Sequence, residues 1–464
     1  MVSNLFAIAA AVAGFAPFVS AFDAQAKSNL AIYYGQGYAQ QRLSHFCQET
    51  SLDIINIGFI NVFPDQGAAG WPGSNFGNQC DGLTYQVDNV STQLLSGCHQ
   101  LVEDIPICQA AGKKVFLSLG GASPDEYQIL SEDSAIFFAD FLWGAFGPKT
   151  DSWALNNGPR PFGDVVVDGF DFDIEHNGGF GYAAMVDRFR QLFALVPERT
   201  FYISAAPQCQ IPDAQLSDAI ATSAFDFIWV QFYNTEGCAA SDFVDGVSTG
   251  FNFDKWVNVI KQGGNPDAKL YVGLPASTSA AGASFYLTPE EVYPLVDTYM
   301  GLYPDTFGGI MLWEATASDD NRFGDETFAD KMKDILLELD PTPEPTPSPS
   351  SSVVVSSTPV ATSTPSASSS LVLSSTSTSS SVSASSSPVA SSSVVASSSV
   401  ASSSTVSSSS IVAPTSAVTS SSTVASSSAV SSSSAVSSSS AVSSSAAVSS
   451  SSAVSSSSTV RHSD

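Results

Sequence analysis

The stretch Asp168-Gly-Phe-Asp171-Phe-Asp173-Ile-Glu175 sets four carboxylates within eight residues. Side chains alternate along a β-strand, so Asp171, Asp173 and Glu175 share one face, while Phe170, Phe172 and Ile174 take the other. Carboxylates packed together in a low-dielectric interior cannot all ionise. At least one therefore stays protonated near neutral pH, which is the state a general acid needs. A solvent-exposed acidic edge strand would also carry such charges. The strongly apolar opposite face and the mid-domain position of the stretch argue against it. The four histidines stand at 45, 99, 176 and 462, and only His176 adjoins the acidic run. That distribution points away from a His-based metal site and from a Ser-His-Asp triad, and His176 reads as a polar neighbour of the site. Neither a metal nor a cofactor is expected.

A buried acidic strand needs a scaffold that covers its apolar face and opens its polar one. Short β-rich runs recur at Leu30–Tyr34, Ile54–Phe59, Lys114–Leu119, Gly169–Ile174, Thr200–Ala205, Phe227–Gln231, Leu270–Gly273 and Gly308–Leu312. Several are apolar on both faces, as parallel strands covered by helices are. Amphipathic stretches such as Tyr182–Leu195 and Glu290–Tyr299 lie between them. Eight strand-helix units predict an α/β fold, a (β/α)8 TIM barrel. A doubly wound open sheet is the alternative, but Gly35-Gln36-Gly37 does not complete the phosphate loop such a sheet carries after its first strand. In a barrel the C-terminal strand ends hold the site. Those ends read Tyr33-Tyr34-Gly35-Gln36, Phe59, Ser118-Leu119-Gly120-Gly121, Asp173-Ile174-Glu175, Ala206-Pro207-Gln208, Gln231-Phe232-Tyr233-Asn234, Gly273-Leu274-Pro275 and Met311-Leu312-Trp313-Glu314. Aromatic faces that stack on pyranose rings, with amides and carboxylates for hydroxyls, are the character of a sugar pocket.

Composition agrees. The 464 residues hold 16 Lys and Arg against 44 Asp and Glu, a formal charge of -28. Such a balance disfavours binding to nucleic acid or to anionic lipid. Three segments are expected. Residues 1–21 read as a secretory signal, with an apolar run from Leu5 to Phe18 and the small-residue site Val19-Ser20-Ala21, although Met1 to Asn4 lack Lys or Arg. Residues 22–340 form the barrel and contain all six cysteines, whose even number behind a signal suggests disulfides in one of 15 pairings. Residues 341–464 are nearly all Ser, Thr, Ala, Val and Pro, with Glu344, Arg461, His462 and Asp464 as the exceptions in charge. A near six-residue Ser-Ser-Ser-Ser-Ala-Val period there lacks the apolar bulk of a β-helix core. This part is expected to be a disordered, O-glycosylated tail that reaches on the order of a few hundred Å. The run Ser-Thr-Val-Arg-His-Ser-Asp at the end lacks the apolar segment of a lipid-anchor signal. Secretion without a membrane span or GPI anchor is expected, with the tail holding the protein in the cell wall.

At these motifs the chain resembles glycoside hydrolase family 18, and within it the plant and fungal class III chitinases. Asp168, Asp171, Asp173 and Glu175 match the signature Asp-x-x-Asp-x-Asp-x-Glu in full, and Ser118 to Gly121 match the preceding Ser-x-Gly-Gly. Ala205-Ala206-Pro207-Gln208-Cys209, Gln231-Phe232-Tyr233-Asn234 and Met311-Leu312-Trp313 are similar as well. The resemblance implies an endo-acting, retaining hydrolase of chitin in which the substrate's own acetamide attacks C1. It implies Glu175 as proton donor, Asp173 as the group orienting the acetamide, Asp171 as its proton-sharing tuner and Tyr233 as the holder of the acetamide oxygen. It places Trp313, Tyr33, Gln36, Phe59, Gly121, Ala206, Gln208, Gln231 and Met311 along the sugar groove, with Trp313 as its floor. It pairs Cys47 with Cys108, Cys80 with Cys98, and Cys209 with Cys238. The last pair has separate support, since both cysteines lie just beyond neighbouring strand ends. Asn89-Val-Ser91 is the one N-glycosylation sequon. The expected partner is chitin or a chitooligosaccharide, bound by a monomer that also associates with wall polysaccharide.

Three other functions fit parts of the sequence. They are a non-catalytic carbohydrate-binding or inhibitor protein on the same fold, a structural wall mannoprotein with the barrel as accessory, and an endo-β-N-acetylglucosaminidase acting on glycan cores. The presence together of Glu175, Asp173 and Tyr233 weighs against the first, and Gln208, Tyr233 and Trp313 favour chitin over the last.

Overall fold

A computed structural model describes residues 22–123, 126–244 and 250–341. The signal segment at 1–21 and the Ser/Thr-rich tail beyond 341 lie outside the described residues. Among the described residues ten strands form: β1 (Asn29–Tyr34), β2 (Ile54–Ile60), β3 (Thr84–Val87), β4 (Val90–Leu95), β5 (Lys114–Gly121), β6 (Gly169–Ile174), β7 (Tyr202–Ala205), β8 (Phe227–Gln231), β9 (Lys269–Pro275) and β10 (Phe307–Trp313). Eight of them close a parallel barrel in the order β1-β10-β9-β8-β7-β6-β5-β2, sealed where Asn29 to Ile32 of β1 pair with Gly309 to Leu312 of β10. This is the expected TIM barrel, with the eight strands where the β-rich runs put them.

The two faces of each strand do different work. Inward side chains of Ala31, Tyr33, Ile54, Phe116, Phe227, Trp229, Tyr271 and Met311 fill the barrel. Outward ones face the helices. On β6 the Phe170 ring stacks on Phe189 of the helix Tyr182–Phe193 at 4.2 Å, and Phe172 meets Tyr182 edge-on. Burying each such ring stabilises by roughly 1.5–3 kcal/mol, so β6 is held from outside while its carboxylates are left to face inward. Phe22 and Tyr202 close the lower mouth, with Phe22 5.7 Å from Tyr202 and 6.3 Å from Phe227.

Local signals fix the helix ends. The last helix, Phe328–Leu339, starts at a reciprocal cap in which Asp330 N–H donates to Thr327 Oγ1 and Thr327 N–H to Asp330 Oδ2. Strands β3 and β4 were not among the predicted elements. They form a separate antiparallel hairpin turned at Asp88 and Asn89, both in the left-handed region at φ 50° and 65°. Asn89 thus sits exposed at a hairpin tip. The structure joins Cys47 to Cys108, Cys80 to Cys98 and Cys209 to Cys238. The last bond ties the loops after β7 and β8 beside the barrel mouth.

On the outer layer, His45 and Glu49 meet Asp319, with His45 Nε2 3.1 Å from Asp319 Oδ2 and 3.8 Å from Glu49 Oε1. Arg322 pairs with the other oxygen of Asp319. Burial, with the charges of Asp319 and Asp330, pushes the Glu49 carboxyl up to about 7.

Candidate active site

The inward residues of β6 converge at the upper mouth of the barrel. Asp171 is fully buried and accepts four hydrogen bonds: from Tyr33 Oη at 2.7 Å and Ser118 Oγ at 2.6 Å on Oδ2, and from Ser204 Oγ at 2.7 Å and Trp229 Nε1 at 3.0 Å on Oδ1. Burial raises its pKa above the ordinary carboxylate range, and these four donors oppose that rise without cancelling it. Such complete donation favours the charged form. The hydrogen bonds described for Asp171 run to Tyr33, Ser118, Ser204 and Trp229, and none of them reaches Asp173. Asp171 acts on Asp173 through space, as one of the charges that raise its pKa.

Asp173 is 2 % exposed and accepts from Gln231 Nε2 at 2.8 Å. Burial first, then the charges of Glu175 and Asp171, hold its pKa well above the usual carboxylate range. Glu175 is the first residue beyond β6 and lies at the opening. Its pKa is raised by burial and by Asp213, against the opposing pull of Gln231 and His176. The Gln231 amide lies between the two carboxyls, 2.8 Å from Asp173 Oδ1 and 3.4 Å from Glu175 Oε1. Two adjoining acids, both pushed toward the protonated form, can supply one proton and one negative charge to a ligand above them.

Tyr233 is 6 % exposed, and burial with the charges of Asp173 and Glu175 keeps its hydroxyl protonated. Trp313 stands partly exposed, stacked 6.1 Å from Phe59 and tilted 5.5 Å from Tyr33. These three rings and Gln36 line a recess with Tyr34, Gly58 and Glu314. Gly120 and Gly121 end β5 with φ of 100° and 89°. A Cβ on Gly120 would lie 2.3 Å from Asp173 O, and one on Gly121 would lie 3.0 Å from the Phe59 ring. The strand can pass this close to the acids and the aromatic wall only without side chains there.

The other expected groove residues lie around this centre. The Tyr33 hydroxyl is committed to Asp171, and Trp229 Nε1 also donates to it at 3.2 Å. The Gln36 amide nitrogen donates to Gly58 O at 2.8 Å and Asn75 O at 2.9 Å, tying the loop after β1 to β2 and to the segment at Asn75. Ala206 and Met311 are fully buried and pack in the cluster inside the barrel. Gln208 is half-buried, and its N–H donates to Asp213 Oδ2 at 3.1 Å. Asp168 stands apart from its motif partners, accepting from Gln109 Nε2, Val115 N–H and Arg199 Nη2 at the lower end of β6. His176 contacts Ala122 O at 3.0 Å, as a polar neighbour should. Sequence reasoning missed Ser204 and Trp229. Both occupy inward positions, two residues before Ala206 and Gln231, so the alternation applied to β6 would have marked them.

The Glycosyl hydrolases family 18 model matches residues 29–291. Among curated relatives, Endochitinase A of Aspergillus niger is 79% identical over 77% of this chain and 28% of its own length. Endochitinase A1 of Aspergillus fumigatus is 68% identical over 74% of this chain and 42% of its own. The chain therefore spans less than half the length of these two relatives. Among solved structures, the ICChI chitinase from Ipomoea carnea is 32% identical with a TM-score of 0.54, covering 66% of this chain and 99% of that one. The xylanase and alpha-amylase inhibitor protein XAIP-II from Scadoxus multiflorus follows at 28% identity and a TM-score of 0.53, over 66% of this chain and 97% of that one. The matched span carries β6, its three inward carboxylates and seven of the eight barrel strands, and with it the chain belongs to the glycosyl hydrolases of family 18.

Proposed function

We propose that the chain is an endo-acting chitinase that cleaves β-1,4 linkages between N-acetylglucosamine units with retention of configuration. The observation that carries this reading is the pair Asp173 and Glu175, joined through Gln231, with the Tyr233 hydroxyl beside them. The protonated Glu175 carboxyl donates its proton to the glycosidic oxygen as the C1–O bond breaks. The acetamide oxygen of the same sugar attacks C1, forming an oxazolinium ion and releasing the leaving chain. Asp173 accepts the acetamide N–H and carries the charge opposite the cation, while Tyr233 donates to the acetamide oxygen and aligns it. Water then adds to C1, and the Glu175 carboxylate takes up its proton. An internal nucleophile has so high an effective concentration that no protein nucleophile is required. Trp313 and Phe59 give the reacting sugar its apolar face.

We infer further that residues 1–21 direct export and that the tail from 341 is a glycosylated spacer in the wall. The support is compositional. The inhibitor protein among the structural neighbours keeps a non-catalytic reading in view, and one experiment separates the two. Chitin oligosaccharides followed by NMR should release the β-anomer first. No hydrolysis would favour a binding protein, and initial α-anomer would contradict substrate assistance.

A further inference from the structure

Glu175 stands past the last rung of β6, and among the described residues its carboxyl accepts one hydrogen bond, the long 3.4 Å approach of Gln231. Its aim is therefore set mainly by its backbone. The Glu175 N–H donates to the hydroxyl of Tyr127 at 3.2 Å. The same hydroxyl donates to Gly121 O at the end of β5, at 2.7 Å. One side chain thus links the strand end that faces the aromatic wall to the main chain of the acid. Tyr127 is itself fixed. It is 1 % exposed, its ring lies 5.2 Å from Phe63, and its carbonyl accepts from Asn177 Nδ2 at 2.8 Å. Burial holds its hydroxyl in the protonated form, as a donor to Gly121 requires.

We propose that Tyr127 is the positioning residue of the general acid: its hydroxyl pins the Glu175 backbone to β5 and so directs the carboxyl at the scissile oxygen. This rests on the reading of Glu175 as proton donor. Misplacement of a reacting group by about 1 Å can cost on the order of a hundredfold in rate. Tyr127→Phe removes both hydrogen bonds and keeps the ring. On a soluble chitin oligosaccharide it should lower kcat on the order of ten- to a hundredfold, with KM within about twofold. The pH-rate limb belonging to Glu175 should move as well. Phe63→Leu disturbs the packing on the same ring and leaves the hydroxyl in place, so it should lower Tm and spare kcat.

A folded Tyr127→Phe protein with wild-type kcat overturns the proposal, as does an equal kcat loss in Phe63→Leu. Amide exchange in the unaltered protein gives a test free of folding defects: the Glu175 N–H should be protected, and rapid exchange there overturns the contact. An inactive wild type overturns the functional reading and this role with it. That result is distinct from an active wild type beside an equally active variant, which overturns the role alone.

Discussion

Replacing Asp171 by Asn separates its charge from its shape. Asp171 and Asp173 stand two residues apart on one strand face, so their carboxyls are on the order of 6–7 Å apart. At an effective dielectric near 20, like charges at that spacing repel by about 2–3 kcal/mol, or nearly two pKa units. Asp171→Asn should then lower the Asp173 pKa by about one to two units, in keeping with Asp171 being among the charges that raise it. The acidic limb of the rate profile, where Asp173 must be ionised, should shift to lower pH. kcat at the optimum should fall on the order of tenfold or more, because the developing oxazolinium loses a neighbouring negative charge. Stability should change less. The Ser118 and Ser204 hydroxyls can turn to suit the new amide, whereas Trp229 N–H cannot. The amide oxygen must therefore take the place of Oδ1, and an unmade bond to Trp229 in the other orientation would cost about 1–3 kcal/mol, partly offset by removing a buried charge. The assay is a pH-rate profile on a soluble chitooligosaccharide, with Tm measured in parallel. A folded variant whose acidic limb coincides with the wild type would refute the through-space coupling.

Two further outcomes follow from other parts of the molecule. Glu49 has a folded pKa of about 7 against an ordinary 4.5. Between those values the folded state holds a proton that the unfolded state has lost, so stability falls as pH rises through the window, by up to about 3 kcal/mol. Glu49→Gln should raise Tm at pH 8 and leave it unchanged near pH 4, and equal shifts at both pH values would contradict the linkage. Trp313→Ala removes the ring that stacks with Phe59 and Tyr33, and kcat/KM on oligosaccharides should drop by about one to two orders of magnitude. Unchanged kinetics would remove Trp313 from the sugar site.

The barrel was legible because each strand is a short apolar run of its own, and β6 because its alternation is local. What stayed hidden depends on contacts across the chain. Tyr33 reaches Asp171 from 138 residues away and Trp229 from 58, and no local pattern says which inward polar groups will meet. The Gln36 nitrogen bonds to the carbonyls of Gly58 and Asn75, contacts that the run Gly35-Gln36-Gly37 does not foretell. Asp168 shares the motif with the site acids, yet it points to Arg199 at the other end of the strand. Its offset of three from Asp171 puts it on the opposite face, a reading the same alternation permits. The hairpin of β3 and β4 escaped because its turn is Asp-Asn rather than a glycine-bearing pair.

The central claim is that Glu175 supplies the proton for glycosidic cleavage. Glu175→Gln keeps the shape of the side chain, including its reach toward Gln231, and removes the acid. Turnover of a soluble chitooligosaccharide and its affinity should be measured on the same folded preparation. The account predicts a fall in kcat of several orders of magnitude with Kd held within a few-fold. Turnover close to that of the wild type in this variant would contradict it.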